Sequence, residues 1–246
     1  MRVAVLSDIH GVLPALEAVL AEPDVAAADL VVLTGDMAAG PMPVETLDVL
    51  VSLGERGLWV NGNADRELVE VARGKVSEYP VTQWAAGRLR DDQVGLLAAL
   101  PDRQVLELGR LGRTLFVHAT PRSDEEMILV DSSLERWGEA LAGESADTLV
   151  VGNTHMPFVR LVDRVLVVNP GSVGMPYGNY GAQWALLDGD SGGVTLRSTP
   201  LDAGRVGERL VAESAFEGIE EFIAEFVTSV YSDAEALRVF AKAEKR

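Results

Sequence analysis

The stretch "RVAVLSDIHG" (2–11) constrains this chain more than any other: a short, continuous apolar run stops abruptly at Asp8 and His10. An apolar run of that length, without polar alternation, reads as a strand buried on both faces. "LVVLTG" (30–35) and "GLWVNG" (57–62) repeat the pattern, with helical periodicity near 13–21, 44–54 and 64–74 between or after them. Strands alternating with helices predict an α/β domain built on a parallel sheet. Residues 80–100 also read as helical, and Pro101 closes that stretch.

Beyond residue 100 the spacing changes. "RQVLEL" (103–108), "RTLFVH" (113–118), "DTLVVG" (147–152), "FVRLV" (158–162), "RVLVVN" (164–169), "AQWALLD" (182–188) and "GVTLRST" (193–199) read as strands. Several lie only a few turn residues apart, so at least part of this second sheet is expected to be antiparallel. "GDSGG" (189–193) reads as a hairpin turn. Two sheets face to face with helices outside are the simplest architecture. From 203 to 246 apolar and acidic residues alternate at helical spacing, as in "IEEFIAEFVTSVY", which predicts two or three helices as an extension of a domain spanning 1–246.

Composition excludes several chemistries. There is no cysteine, so disulfides, thiolate metal sites and thiol nucleophiles are ruled out, and a metal site has to use His, Asp, Glu and Asn. The formal net charge of -17 argues against a nucleic-acid-binding surface, because phosphate backbones are held chiefly by Lys and Arg. A small phosphorylated ligand fits such a chain if bound cations supply positive charge locally. No apolar run reaches the roughly 18 residues of a membrane span, and the N-terminal run ends in Asp8 and His10 instead of a cleavage site. A soluble, cytoplasmic protein is the expectation.

The metal-capable residues fall at the ends of the apolar runs. Asp8 and His10 follow the first, Asp36 the second and Asn63 the third; His118 ends "TLFV", and Asn153 and His155 follow "TLVVG". In open α/β sheets ligands bind outside the carboxyl ends of strands, so these positions would share one site. The chain has three histidines, and each sits at such an end beside another polar ligand type. Asp8 and His10 are two residues apart, so an extended segment would project both to one side. Imidazole with carboxylate and amide oxygen suits Mn²⁺, Fe or Zn²⁺ better than Ca²⁺.

In order, D8-x-H10, G35-D36, G62-N63-x-D65, H118 and G152-x-x-H155 resemble the blocks of the calcineurin-like metallophosphoesterases, with closest similarity to their small prokaryotic YfcE-like phosphodiesterase group. "NPGS" (169–172) is a further shared feature. The resemblance implies a four-layer α/β/β/α sandwich of two mixed sheets around two divalent ions, Mn²⁺ foremost, with Fe, Zn²⁺, Ni²⁺ or Mg²⁺ as alternatives. Asp8, His10, Asp36 and His155 would hold one ion. Asp36, Asn63, His118 and Asn153 would hold the other, with Asp36 bridging. Asp36, Asn63 and His118 would also line the reacting centre, where a hydroxide bridging the ions attacks a small phosphodiester or phosphomonoester. Asp65 would orient a neighbouring ligand, His118 foremost.

Two positions depart from the family pattern. Ala64 stands where G-N-H-D has a histidine assigned to leaving-group protonation or phosphate contact, and Asn153 replaces the first histidine of G-H-x-H. Asn153 either ligates through its amide oxygen or stabilises the turn. Arg122 and Arg66 either grip a phosphate oxygen or pair with nearby acids such as Asp124 and Glu125, and Asn63 is a further substrate contact. Gly171 and Ser172 either shape the wall of the site or make a plain turn. Tyr177 and Tyr180 either border the pocket or pack. The alternative to an enzyme is a scaffold that binds metal or a phosphoryl ligand, turns over poorly and has a regulatory role. The oligomeric state does not follow from the sequence.

Overall fold

Apolar runs that lack polar alternation fold as strands covered on both faces, and the computed structural model places them in two stacked sheets. It describes residues 1–229 and 231–244. The strands are β1 (Arg2–Leu6), β2 (Leu30–Leu33), β3 (Gly57–Trp59), β4 (Arg103–Glu107), β5 (Arg113–Val117), β6 (Thr148–Val150), β7 (Phe158–Val162), β8 (Val165–Asn169), β9 (Ala182–Asp188) and β10 (Gly193–Thr199). The first sheet has the order β10-β9-β1-β2-β3 and the second β4-β5-β6-β8-β7. In each, three neighbouring strands run parallel, β1-β2-β3 and β5-β6-β8, while the flanking strands pair antiparallel.

Alternate residues of β1 serve different cores. Val3 and Val5 join Val32, Phe116, Val150 and Val168 between the sheets, whereas Ala4 and Leu6 face the outer helices. Those helices are α1 (Leu13–Leu20), α2 (Pro23–Ala26), α3 (Pro43–Val51), α4 (Asn63–Ala72), α5 (Pro80–Ala86) and α6 (Asp91–Ala98). On the far face of the second sheet α7 (Leu134–Ala140) packs Trp137 and Ala140 against Leu115, Leu149 and Val167. The result is the expected α/β/β/α sandwich.

The structure corrects the sequence reading in two places. Residues 182–199 belong to the first sheet, not the second: β9 lies against β1, with Ala185 and Leu187 between the sheets and Trp184 and Leu186 under the helices. A strand buried on both faces needs partners on both edges, and β1 offers the open one. The helical stretch 80–100 breaks at Gly87 into α5 and α6. The hairpin at 189–192 joins β9 to β10 as expected.

In the tail, α8 (Ala203–Glu213), α9 (Ile219–Phe222) with a π-helical turn over Ile223–Val227, and α10 (Asp233–Ala243) follow. Val230, Lys245 and Arg246 of the expected helical tail lie outside the described residues. α8 packs Val206 and Leu210 into the helix-side core. Among the described residues no helix is long and apolar enough to cross a membrane.

Phe116 is fully buried between the sheets. Phe116→Ala is expected to cost about 3–5 kcal/mol of unfolding free energy in denaturant titrations, through lost transfer energy and the cavity left behind.

Candidate metal centre

The two parallel trios end at the same edge, and their loops carry every predicted ligand. Among the described residues six non-glycine positions have positive φ, and five of them are Asp8 (54°), His10 (48°), Asp36 (56°), Asn153 (62°) and His155 (56°). Asp8 and His10 are therefore in left-handed backbone, not the extended segment expected of them. Each such residue costs of order 1–3 kcal/mol and persists only where surroundings hold it. Here the loops zip together: the N–H of Asp8 donates to the Gly35 carbonyl, and that of His10 to the Asp36 carbonyl, both at 3.0 Å. Close approach is allowed by Gly35 and Gly62, where a Cβ would collide with the His118 ring and the Asp36 carboxylate respectively.

All three histidines are oriented in one way. Their Nδ1 atoms donate to backbone carbonyls, His10 to Ala39 (3.3 Å), His118 to Thr34 (2.7 Å) and His155 to Met175 (3.0 Å). A carbonyl only accepts, so the proton sits on Nδ1 and Nε2 points inward. His10 Nε2 lies 3.2 Å from His155 Nε2, and His155 Nε2 lies 3.3 Å from Asp8 Oδ1. Asp36 Oδ2 is 3.4 Å from His118 Nε2 and 3.7 Å from His10 Nε2. His118 Nε2 also meets Asn63 Oδ1 at 2.9 Å. Two imidazole lone pairs 3.2 Å apart repel unless a proton or cation lies between them. Ligand atoms of Asp8, His10 and His155, and of Asp8, Asp36 and His118, all lie within 4.8 Å of one another. This donor set fits divalent cations.

Charge is balanced inside the cluster. Burial would raise Asp36 and Asp8, but His118 holds Asp36 well below the usual carboxylate range and His155 lowers Asp8. Burial would equally lower His118, yet the Asp36 carboxylate pushes it up to about 10. His155 is raised by Asp8 against its burial, whereas burial lowers His10.

A model of the calcineurin-like phosphoesterase superfamily domain matches residues 1–192. The chain belongs to this superfamily. Membership places it among phosphoric ester hydrolases and implies divalent metal ions at the cluster. The chain is similar to phosphodiesterase YfcE of Escherichia coli K12, 27% identical over 200 residues that cover 77% of this chain and 89% of the relative. Its fold is that of a metallophosphoesterase from Sphaerobacter thermophilus (TM-score 0.72, 23% identity, covering 92% and 98% of the two chains). A hypothetical protein of Pyrococcus horikoshii OT3 shares it too (TM-score 0.78, 19% identity, 93% and 99%).

In this phosphoesterase several supporting residues differ from expectation. Asp65 does not touch His118. Its carboxylate accepts the backbone N–H groups of Asp36 (2.8 Å), Met37 (2.9 Å) and Gly62 (3.1 Å), so it shapes the loop that carries Asp36. Burial, with the adjacent Asp36 charge, pushes Asp65 up to about 7. Arg122 pairs with Glu126 through two hydrogen bonds, and Arg66 with Asp124 and Glu125; both guanidiniums are engaged by acids. Tyr180 is exposed, while Tyr177 packs edge-on against Phe240 with its ring centroid 6.0 Å from that of His155.

Ser172 acts through its side chain, donating to the Asp8 carbonyl and accepting the Met175 N–H, both at 2.7 Å. Sequence reasoning missed Asn169, whose amide donates to the Gly152 carbonyl (2.8 Å) and Thr154 hydroxyl (3.1 Å), tying the loop that carries Asn153 and His155 to the end of β8. Its place at the head of "NPGS" was the available signal. The backbone N–H of Asn153 donates to both Asp8 carboxylate oxygens at 3.2 Å, a main-chain tie between the two loops that is independent of its side chain. Its buried side-chain nitrogen has no partner, and rotating the amide by a half-turn would put an oxygen acceptor there instead.

Two outcomes follow. Asp65→Ala leaves three buried N–H groups unpaired and is expected to cost roughly 3 kcal/mol or more in chemical unfolding, at 1–3 kcal/mol for each donor with partial relaxation. For the metal-free protein, His118 is raised from 6.5 to about 10, so its ion pair stabilises fully below pH 6.5 and is lost as pH rises through about 10. Because ligation needs its lone pair, Mn²⁺ binding at pH 7.5 should release protons, read as calorimetric heats that vary with buffer ionisation enthalpy. Heats independent of buffer would contradict that protonation state.

Proposed function

We propose that this chain hydrolyses a small phosphodiester, or a phosphomonoester with a good leaving group, using two divalent ions held by Asp8, His10, Asp36, Asn63, His118, Asn153 and His155. The position of Asp36 carries the reading: a single carboxylate oxygen lies between His10 on one side and His118 on the other, the arrangement of a bridging ligand. When bound, two cations would lower the pKa of a water and offset the charge on phosphate oxygens. Mn²⁺ suits the mixed imidazole, carboxylate and amide donors. The similarity to a phosphodiesterase of Escherichia coli supports the diester.

The chain's own groups divide the remaining work. Asp8 and His155 position each other, and the carbonyls of Ala39, Thr34 and Met175 hold the three imidazoles in the ligating tautomer. Ala64 supplies no proton; its backbone N–H donates to Asp36 Oδ1 at 2.8 Å, fixing the carboxylate. A leaving oxygen near Ala64 departs without help from that side chain, which favours substrates with acidic leaving groups. Arg66 and Arg122 are held by acids, so phosphate charge is met chiefly at the metal centre. The net charge of -17 further favours small phosphorylated substrates over nucleic acid.

The test is hydrolysis of bis-p-nitrophenyl phosphate and p-nitrophenyl phosphate with Mn²⁺, Ni²⁺, Mg²⁺ or Zn²⁺. The native chain should turn over the diester with Mn²⁺, and Asp36→Asn should lower kcat/KM by roughly 100-fold or more, since even groups behind the ligands are worth 10–100-fold. Asn153→His should reduce the Mn²⁺ concentration for half-maximal rate by about 10-fold, the equivalent of 1.4 kcal/mol in binding. A native chain inactive with every metal, beside an active Asn153→His variant, would instead establish the scaffold reading.

A further inference from the structure

A cavity of about 590 Å³ opens directly onto the metal centre, with His10, Asp36, Asn63 and Ala64 at its inner end. Its outer walls come from α5 and from the tail helices, which lie beyond the matched superfamily region 1–192. Phe216, Phe222 and Phe226 form an aromatic wall, and Glu67, Glu221 and Glu225 supply the charge. The rings are braced by neighbours: Phe216 packs on Trp84 at 5.4 Å between centroids, and Phe222 on Phe226 at 5.1 Å.

Among the described residues neither Lys nor Arg lines this cavity. Among the described residues no cationic side chain bridges Glu67, Glu221 or Glu225; Glu67 accepts a hydrogen bond from Ser77 at 2.7 Å. Glu221 and Glu225 are four residues apart on one helical stretch, where like charges repel unless a cation lies nearby. Aromatic faces combined with unpaired carboxylates are complementary to an alkylammonium group, and repel a second phosphate or a carboxylate. A chain that bound polyphosphates or sugar bisphosphates here would need the opposite charge.

We propose that the cavity receives an ester arm bearing an ammonium group, best a quaternary one, so that the substrate is a phosphoester of an amino alcohol. This rests on the metal-centred phosphoesterase reading, because the phosphoryl group has to sit at Asp36 for the arm to enter. Tyr79, at the rim, adds a fourth ring. The arm contributes specificity; the ester bond is still cleaved by water, giving an alcohol and a phosphate.

The decisive comparison uses a charge and its carbon isostere. With Mn²⁺ present, kcat/KM for p-nitrophenyl phosphorylcholine should exceed that for p-nitrophenyl 3,3-dimethylbutyl phosphate by about 10-fold or more. The preference should fall close to unity in the Glu221→Gln, Glu225→Gln double variant, whose side chains are exposed and leave the core intact. Equal rates for the two diesters, or a preference that survives both substitutions, overturns the proposal. Calorimetric binding of phosphocholine against 3,3-dimethylbutyl phosphate needs no turnover, and phosphocholine should bind about 10-fold more tightly. If neither chromogenic diester is hydrolysed with any metal, the phosphoesterase reading fails, and the calorimetric ratio still decides the ammonium site: equal affinities overturn it.

Discussion

The buried carboxylate of Asp36 is the constraint on which the rest of the site depends. A charge taken from water into a folded core costs several kcal/mol unless partners replace the lost hydration. Asp36 is 4% exposed, and its partners come from three other segments: His10 after β1, the Ala64 N–H at the start of α4 with Asp65 of the same helix bonding its backbone, and His118 after β5. No local segment could supply that set. The sandwich, with two parallel trios ending at one edge, brings them within reach.

Meeting that demand forces local strain. Five candidate ligand residues adopt left-handed backbone, a region where Asp, Asn and His are the least disfavoured side chains after glycine. The residue types that chelate a metal are thus also those the loops tolerate. The strained loops are tied to one another, β1-end to β2-end through backbone bonds and β6-end to β8-end through Asn169, while Ser172 braces the Asp8 carbonyl. Strain in one loop is offset by packing in the next. Pairing Asp36 with His118 and Asp8 with His155 balances charge inside the cluster.

Much of this was legible in the chain because strand burial and ligand chemistry leave local marks. Continuous apolar runs announced strands covered on both faces, and a ligand-type residue at the end of each announced a shared edge. The placement of β9 and β10 was not legible: "AQWALLD" is apolar enough for either sheet, and only the open edge of β1 selects one. The family motif pointed Asp65 toward His118; folded, its carboxylate turns toward three backbone N–H groups that its own motif and the Asp36 loop expose. Arg66 and Arg122 offered guanidiniums, and tertiary contacts with acids engaged them.

By itself the sequence determined the α/β class, the strands, the seven candidate ligand positions and the absence of thiol chemistry, since each depends on residue type and short-range periodicity. The tertiary structure decided how the ligands face one another, which tautomer each histidine holds, and what surrounds the phosphoryl position. Helical spacing in "IEEFIAEFVTSVY" revealed helices but not their target. Only the packing of α8 against α1 in the helix-side core carries Phe222, Phe226 and Glu225 over the metal centre, because contacts between residues two hundred positions apart are set by burial of whole faces and not by any local pattern.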